Sequence, residues 1–227
     1  GARLLDVGCG TGALACAAAA IVRPDGHVTG LDANPEMLAV ARRKPESVTW
    51  VEGLAEALPF EDDSFDAVAS QFALMFFEDP PAALAGMARV LRPGGRMAVA
   101  VCDAVERSPG YAAFSALLRR LFGDDVADAF GAPFVMGDMA TLETHARAAG
   151  LRAARVVRMK GAVRFDSVAD LVSTERACAW TLGGILDEEQ FARLAAESET
   201  ALAPFRDHAG AVRFTMPVLV IRAEKPV

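Results

Sequence analysis

No stretch of the 227-residue chain approaches the ~20 consecutive apolar residues that a membrane-spanning helix needs, although 53% of its residues are hydrophobic. That apolar content is therefore available for a buried core, enough for one large α/β domain or at most two small ones. Positive charge is in deficit: 23 Lys and Arg stand against 30 Asp and Glu, a net charge of −7, which argues against a broadly basic nucleic-acid surface. The one basic run, Arg147, Arg152, Arg155, Arg158, Lys160 and Arg164, has the spacing of the solvated side of a helix and a following strand. Cysteine is sparse as well. Cys9, Cys16, Cys102 and Cys178 form no CxxC pair and have no neighbouring histidines, so they offer neither a zinc site nor a disulfide framework. With no signal peptide discernible, they read as reduced thiols of a cytoplasmic protein. Histidine occurs only at 27, 145 and 208, too scattered for a catalytic dyad, and Tyr111 is the single tyrosine. Internal repeats and low-complexity linkers are absent.

What is present is concentrated in Leu4-Leu5-Asp6-Val7-Gly8-Cys9-Gly10-Thr11-Gly12. An apolar strand ends in an acid, passes three glycines at alternate positions and enters the alanine-rich helix former Ala13–Ala20. Each glycine omits a Cβ where the chain turns from strand to helix and a ligand approaches the main chain. The spacing GxGxG differs from the dinucleotide fingerprint GxGxxG, whose helix start receives a pyrophosphate. Asp6, two residues before the first glycine, puts a carboxylate beside the loop and suits a cationic or amine-bearing ligand better than a phosphate.

Read together with three later segments, this string resembles motif I of the class I S-adenosylmethionine (SAM) methyltransferases, within the type 11 group that includes quinone-biosynthesis enzymes. The strand His27–Leu31 ends at Asp32, followed by Ala33-Asn34-Pro35-Glu36-Met37. In the family the acid at this point accepts hydrogen bonds from the ribose hydroxyls, and the residues after it cover the adenine. Val51-Glu52-Gly53-Leu54-Ala55-Glu56-Ala57-Leu58-Pro59-Phe60 is similar to the family's GDAExLPF segment, with Leu54 where an aspartate usually meets the adenine amine. The backbone N–H of Ala55 is left for the adenine ring. Phe65–Leu74, the helical run Ala83–Leu91 and Pro93-Gly94-Gly95 before the apolar strand Met97–Val101 resemble strand four, helix D and strand five of the same fold. A glycine turn and an acid after strand two also occur in NAD- and FAD-binding folds, but no second GxGxxG unit accompanies them here and no hydride-transfer site is recognisable.

The resemblance implies a Rossmann-like, seven-stranded, mostly parallel sheet with helices on both faces and an antiparallel last strand. SAM is the implied cofactor and S-adenosylhomocysteine its product. The implied cofactor contacts are Asp6, Gly8, Cys9, Gly10, Gly12, Asp32, Ala33, Met37, Leu54, Ala55, Gln71 and Phe72, with the backbone of Cys9, more than its sulfur, near the cofactor. Residues 1–227 read as one domain with helical cap insertions at about 104–137 and 166–208. Related enzymes carry helices ahead of motif I, so a native helix is expected to precede Gly1.

Along the second half, the spacing of Phe114, Leu117, Leu118 and Leu121 predicts a helix over 109–122. Asp138 reads as an N-cap of a helix ending at Gly150, before a strand from Leu151 to about Phe165. Ser167 with Asp170 and Asp187 with Gln190 read as two further helix starts, and Val212–Arg222 as the last strand, with Pro217 at an edge or bulge.

Methyl transfer from SAM is an in-line displacement at an activated carbon, so positioning supplies much of the catalysis, and a base is needed only if the acceptor must lose a proton. No catalytic residue is therefore assigned. Tyr111, Arg176 and Trp180 are candidates for contact with a small, apolar or aromatic acceptor, Phe72 lines the acceptor side, and no metal is called for. The competing reading is a methyltransferase-like protein that binds SAM or a nucleoside without transferring methyl, to which Leu54 lends weight.

Overall fold

A strand whose Leu5, Asp6 and Val7 are all buried needs hydrogen-bonded neighbours on both edges and cover on both faces. In the computed structural model, which describes residues 1–22, 24–44, 47–178 and 181–226, β1 (Arg3–Val7) has such neighbours in β2 (His27–Asp32) and β4 (Phe65–Gln71), both parallel to it. β3 (Val48–Glu52) extends the sheet beyond β2, and β5 (Leu91–Cys102), β9 (Val218–Glu224) and β6 (Arg155–Met159) extend it beyond β4. The order is β3-β2-β1-β4-β5-β9-β6, a Rossmann-like, mostly parallel sheet with β9 antiparallel.

Parallel neighbours require crossovers, and helices supply them. α1 (Ala13–Val22) joins β1 to β2, α2 (Pro35–Ala41) joins β2 to β3, α3 (Pro80–Val90) joins β4 to β5, and α6 (Met139–Ala148) leads into β6. Ala15, Ala18 and Ala19, spaced i, i+3, i+4, are the buried face of α1 and pack with Val28 and Val48. Alanine on that face removes bulk between helix and sheet, while each fully buried valine or leucine beneath it contributes roughly 1.5–3 kcal/mol. From β1 the chain first builds outward to β2 and β3, then returns to place β4 on the other side. The strand order therefore reverses between β1 and β4, and in open α/β sheets ligands bind outside the carboxyl ends of strands at such a reversal.

The chain forms two compact units, Gly1–Val101 with Asp138–Val157 and Leu219–Val227, and Cys102–Gly137 with Arg158–Val218. The first contains nearly all of the seven-stranded sheet. The second contains α4 (Pro109–Phe122), α5 (Asp124–Gly131), α7 (Val168–Ala177), α8 (Glu188–Ala201) and the antiparallel pair β7 (Ala162–Phe165) and β8 (Val212–Thr215). Its core is aromatic: the Tyr111 ring lies 4.9 Å from that of Phe214, 5.7 Å from Phe134 and 5.8 Å from Phe130. Such edge and tilted arrangements match the quadrupoles of the rings.

Local signals were followed closely at the helix ends. Asp138 accepts from the Thr141 N–H, Ser167 from the Asp170 N–H, and Asp187 with Gln190 forms a reciprocal capping box, each such cap contributing ~1 kcal/mol. Gly150, at φ +80°, ends α6 while Leu151 N–H donates to Ala146 O at 2.9 Å.

Three expected elements differ. Pro93-Gly94-Gly95 does not separate helix from strand; α3 ends at Val90, β5 starts at Leu91, and the three residues lie in a bulge of β5 between the pairs Phe65–Leu91 and Ala67–Arg96. Backbone bonds from Gly94 N–H to Lys225 O and from Lys225 N–H to Gly95 O hold that bulge. The expected strand from Leu151 to Phe165 is two strands in two sheets, broken where a Cβ on Gly161 would lie 2.2 Å from Met216 O. The last strand is likewise two, β8 and β9, parted at Met216-Pro217, where proline has no N–H to continue a ladder. The basic run also departs in one member: Arg158 donates from Nε to the buried Asp103 carboxylate at 2.5 Å.

The tightest seam in the aromatic core is at Gly110, where a Cβ would stand 2.2 Å from the Phe214 ring. Gly110→Ala is expected to destabilise the protein by about 1–3 kcal/mol, as overpacked cores do, measured as a lower midpoint in thermal unfolding.

Candidate functional site

At the carboxyl end of β1 the chain turns through Gly8, Gly10 and Gly12, with φ of +70°, +53° and +83°. These left-handed conformations cost an ordinary side chain, but two of the glycines are also required by their neighbours. A Cβ on Gly8 would lie 2.4 Å from that of Ala73, and a Cβ on Gly12 would lie 2.3 Å from the Trp50 ring. Gly10 differs, since nothing stands within 4 Å of where its Cβ would be. The middle of the loop thus offers bare backbone to open space, and its two ends are clamped.

The loop is pinned to β2. Gly8 N–H and Cys9 N–H both donate to Leu31 O, at 2.8 and 2.9 Å, and Gly10 N–H donates to Asp32 Oδ2 at 2.7 Å. The other oxygen of Asp32 accepts from Asn34 N–H at 2.8 Å, so one carboxylate links the glycine loop to the start of α2. Asn34 in turn caps α2, its Oδ1 accepting from Glu36 and Met37 N–H. Ala33 is exposed here and Met37 half-buried.

Asp6 sits beneath the loop, 1% exposed, and neither of its carboxylate oxygens has a close hydrogen-bond partner. Burial pushes its pKa from an ordinary 3.8 to about 7; the backbone N–H of Ala15 at the start of α1 pulls it down and the charge of Asp32 pushes it up. Burial, with the charges of Asp6 and Asp32 adding, likewise pushes the Cys9 thiol up to about 12, which removes it as a thiolate nucleophile near neutral pH. The result is a turn with open backbone between two acids, one buried and orphaned, the other already ordering two loops. Such a site favours a cation with hydrogen-bond donors.

Two further loops stand at the same edge of the sheet. After β3, Leu54 is 59% exposed and Ala55 is buried. After β4, Gln71 and Phe72 are exposed, and Phe72 has the left-handed φ of +57°. Glu56 ties the two loops together, its Oε1 accepting from Glu78 N–H at 2.9 Å and Asp79 N–H at 3.3 Å. The twelve expected cofactor contacts all lie in the first unit, on strand ends, the loops after them and, for Met37, the first turn of α2. Tyr111 and Arg176 belong to the second unit. Tyr111 is buried in the aromatic core, and Arg176 pairs with Glu188 while lying over the Phe191 ring. Trp180 falls outside the described residues. Among the described residues no group of three or more His, Cys, Asp and Glu is arranged to hold a metal ion.

Trp50 and Ala73 went unread in the sequence, although both shape the loop. Their signal was indirect: a bulky ring on β3 and a small residue after β4 become informative only once register brings Gly30 opposite Trp50. A Cβ on Gly30 would stand 2.6 Å from that ring, so Trp50 accounts for two glycines at once.

The raised pKa of Asp6 has a definite sign. A group whose pKa is higher folded than unfolded adds stability that is complete below the unfolded value and is lost as pH rises through the folded one. The empty protein is expected to lose stability between pH ~4 and ~7 from this group. Asp6→Asn removes that component, so the variant's melting temperature relative to wild type rises across the same interval; parallel pH profiles of the two proteins count against the assignment.

Known proteins are similar to this chain in sequence over its first half and in fold. Residues 5–99 match the model of a methyltransferase domain family. Demethylmenaquinone methyltransferase of Chlorobaculum tepidum is 46% identical over 93 residues, covering 41% of this chain and 38% of that protein. The 2-phytyl-1,4-naphtoquinone methyltransferase of Synechocystis is 42% identical over 105 residues, covering 44% of each. The chain thus spans less than half the length of these curated relatives. Across the whole chain, the fold is similar to phosphoethanolamine N-methyltransferase 2 of Haemonchus contortus solved with S-adenosylhomocysteine, with a TM-score of 0.60, 20% identity and 49% of that chain covered. Over residues 5–99 the chain is thus similar in sequence to methyltransferase domains, and the sheet that carries this stretch shares its fold with solved methyltransferases.

Proposed function

We propose that the protein is a SAM-dependent methyltransferase acting on a small aromatic acceptor of the quinol type. The observation that carries this reading is the open backbone at Gly10 held between the orphaned carboxylate of Asp6 and the bridging carboxylate of Asp32. SAM, when bound, supplies a methyl group on a positively charged sulfur. Gly8, Cys9, Gly10 and Gly12 are assigned to hold it through their backbone, and Asp6 to answer its positive charge. Each oxygen of Asp32 keeps a lone pair after its backbone bond and is assigned to the ribose hydroxyls. Ala33, Met37, Leu54 and Ala55 are assigned to the adenine end, Gln71 and Phe72 to the methionine end and the acceptor.

The quinol class of acceptor is carried over from the relatives, whose names specify a menaquinone precursor and a naphthoquinone. The matched stretch, residues 5–99, carries the loops assigned to the cofactor. Four free cysteines and the lack, among the described residues, of any helix long and apolar enough to cross a membrane accord with a cytoplasmic enzyme.

Titration calorimetry is expected to show binding of both SAM and S-adenosylhomocysteine; absence of heat for both overturns the reading. Tritiated methyl transfer to a prenylated 1,4-naphthoquinol separates an enzyme from a protein that binds SAM without turnover. Leu54→Asp, by restoring an acceptor for the adenine amine, is expected to tighten S-adenosylhomocysteine roughly two- to tenfold, the value of one hydrogen bond of ~0.5–1.5 kcal/mol.

A further inference from the structure

Asp6 is a buried acid that the fold leaves unanswered. Its register neighbours in the sheet are Gly30 on β2 and Ala69 on β4, neither of which has a polar side chain. The N–H groups of the glycine loop are committed elsewhere: Gly8 and Cys9 donate to Leu31 O, Gly10 to Asp32 Oδ2 and Gly12 to Cys9 O. Among the described residues no lysine, arginine or histidine is paired with it, and neither of its oxygens has a close hydrogen-bond partner. The groups that act on its charge come from three elements. Burial holds its pKa at about 7, with the Ala15 N–H of α1 favouring the ionised form and the Asp32 carboxylate after β2 opposing it. Cys9, in the loop itself, feels the charge of Asp6 and stays a neutral thiol.

A carboxylate taken out of water without a partner is costly to ionise. Near pH 7 the ligand-free protein therefore divides Asp6 between its protonated and charged forms. A cation placed on the glycine loop changes that balance, because an opposite charge close by favours the ionised acid and lowers its pKa.

We propose that cofactor binding at the glycine loop is coupled to release of a proton from Asp6, so that the protein holds its cationic ligand less tightly as pH falls through neutrality. This rests on the methyltransferase reading for the identity of the ligand and adds how that ligand's affinity is regulated. The sign follows from linkage: a ligand that lowers the pKa of one acid binds more tightly as pH rises between the bound and free values, by at most tenfold per pH unit. Ionisation of Asp6 costs the ligand-free protein stability, and the charge of the ligand recovers it. Supply of the methyl donor thus becomes sensitive to pH whatever the acceptor.

S-adenosylhomocysteine is the probe, since its amine is largely protonated below pH ~7 and does not confuse the proton count. Its binding to wild type and Asp6→Asn is measured by calorimetry at pH 6.5 in two buffers of different ionisation enthalpy, and its Kd at pH 5 and pH 7, with thermal unfolding to confirm that both proteins are folded. Wild type is expected to release roughly half a proton or more per ligand at pH 6.5 and to bind about tenfold more tightly at pH 7 than at pH 5. Asp6→Asn is expected to release none, with Kd values at the two pH values within about twofold. A wild type that binds no S-adenosylhomocysteine at either pH overturns the methyltransferase reading itself. Binding with equal heat in the two buffers overturns the inference alone, as does proton uptake, or a release that persists in Asp6→Asn. Should Asp6→Asn not fold, the buffer comparison on wild type decides by itself.

Discussion

The Asp32 carboxylate is the interaction on which the ligand-facing edge of the sheet depends. A loop with three left-handed glycines has little intrinsic order, because glycine gives up more conformational freedom on folding than any other residue. Asp32 meets that cost by accepting the Gly10 N–H on one oxygen and the Asn34 N–H on the other, while Leu31 O takes the two N–H groups before Gly10. β1 and β2 are parallel neighbours, so this bond network sits where their carboxyl ends already coincide. Strand pairing brings the acid to the loop, and the acid then gives the loop its shape.

Much of the first unit was legible in the chain because its signals are local. A short apolar strand with an acid near its end, alternate glycines and an alanine tract each dictate conformation within a few residues, and the caps at Asp138, Ser167 and Asp187 act over three. The residues assigned to the cofactor, from Asp6 to Phe72, rest instead on the resemblance of their segments to a known family, which local conformation alone does not supply. What escaped depends on partners far along the chain. The bulge at Pro93-Gly94-Gly95 is defined by Lys225, and the contact of Gly12 with Trp50 by the register of β2 against β3. Periodicity reports which face of a segment is apolar and says nothing of which neighbour occupies it.

The division of two apparent strands has the same origin. Alternation along Leu151–Phe165 and Val212–Arg222 is compatible with continuous strands, and only the close approach of Gly161 to Met216, with the missing N–H of Pro217, breaks both. At those breaks the chain passes from the seven-stranded sheet to the β7–β8 pair. Asp103 is the counterpart at the end of β5: buried, it accepts from Ala104 N–H and from Arg158, with Arg107 nearby at 3.7 Å. A buried carboxylate is tolerable only with such compensation, and here both arginines belong to the second unit with it.

Trp50 carries a consequence for how this chain can vary. Its ring fills the space above both Gly12 and Gly30, so neither position is independent of the third. A larger residue at 12 or 30 gains room only if 50 shrinks, and shrinking 50 alone leaves a hollow against the ligand loop. Positions 12, 30 and 50 are therefore coupled in heredity as in space, and substitutions among them are non-additive, each tolerated or rejected according to what the other two have become.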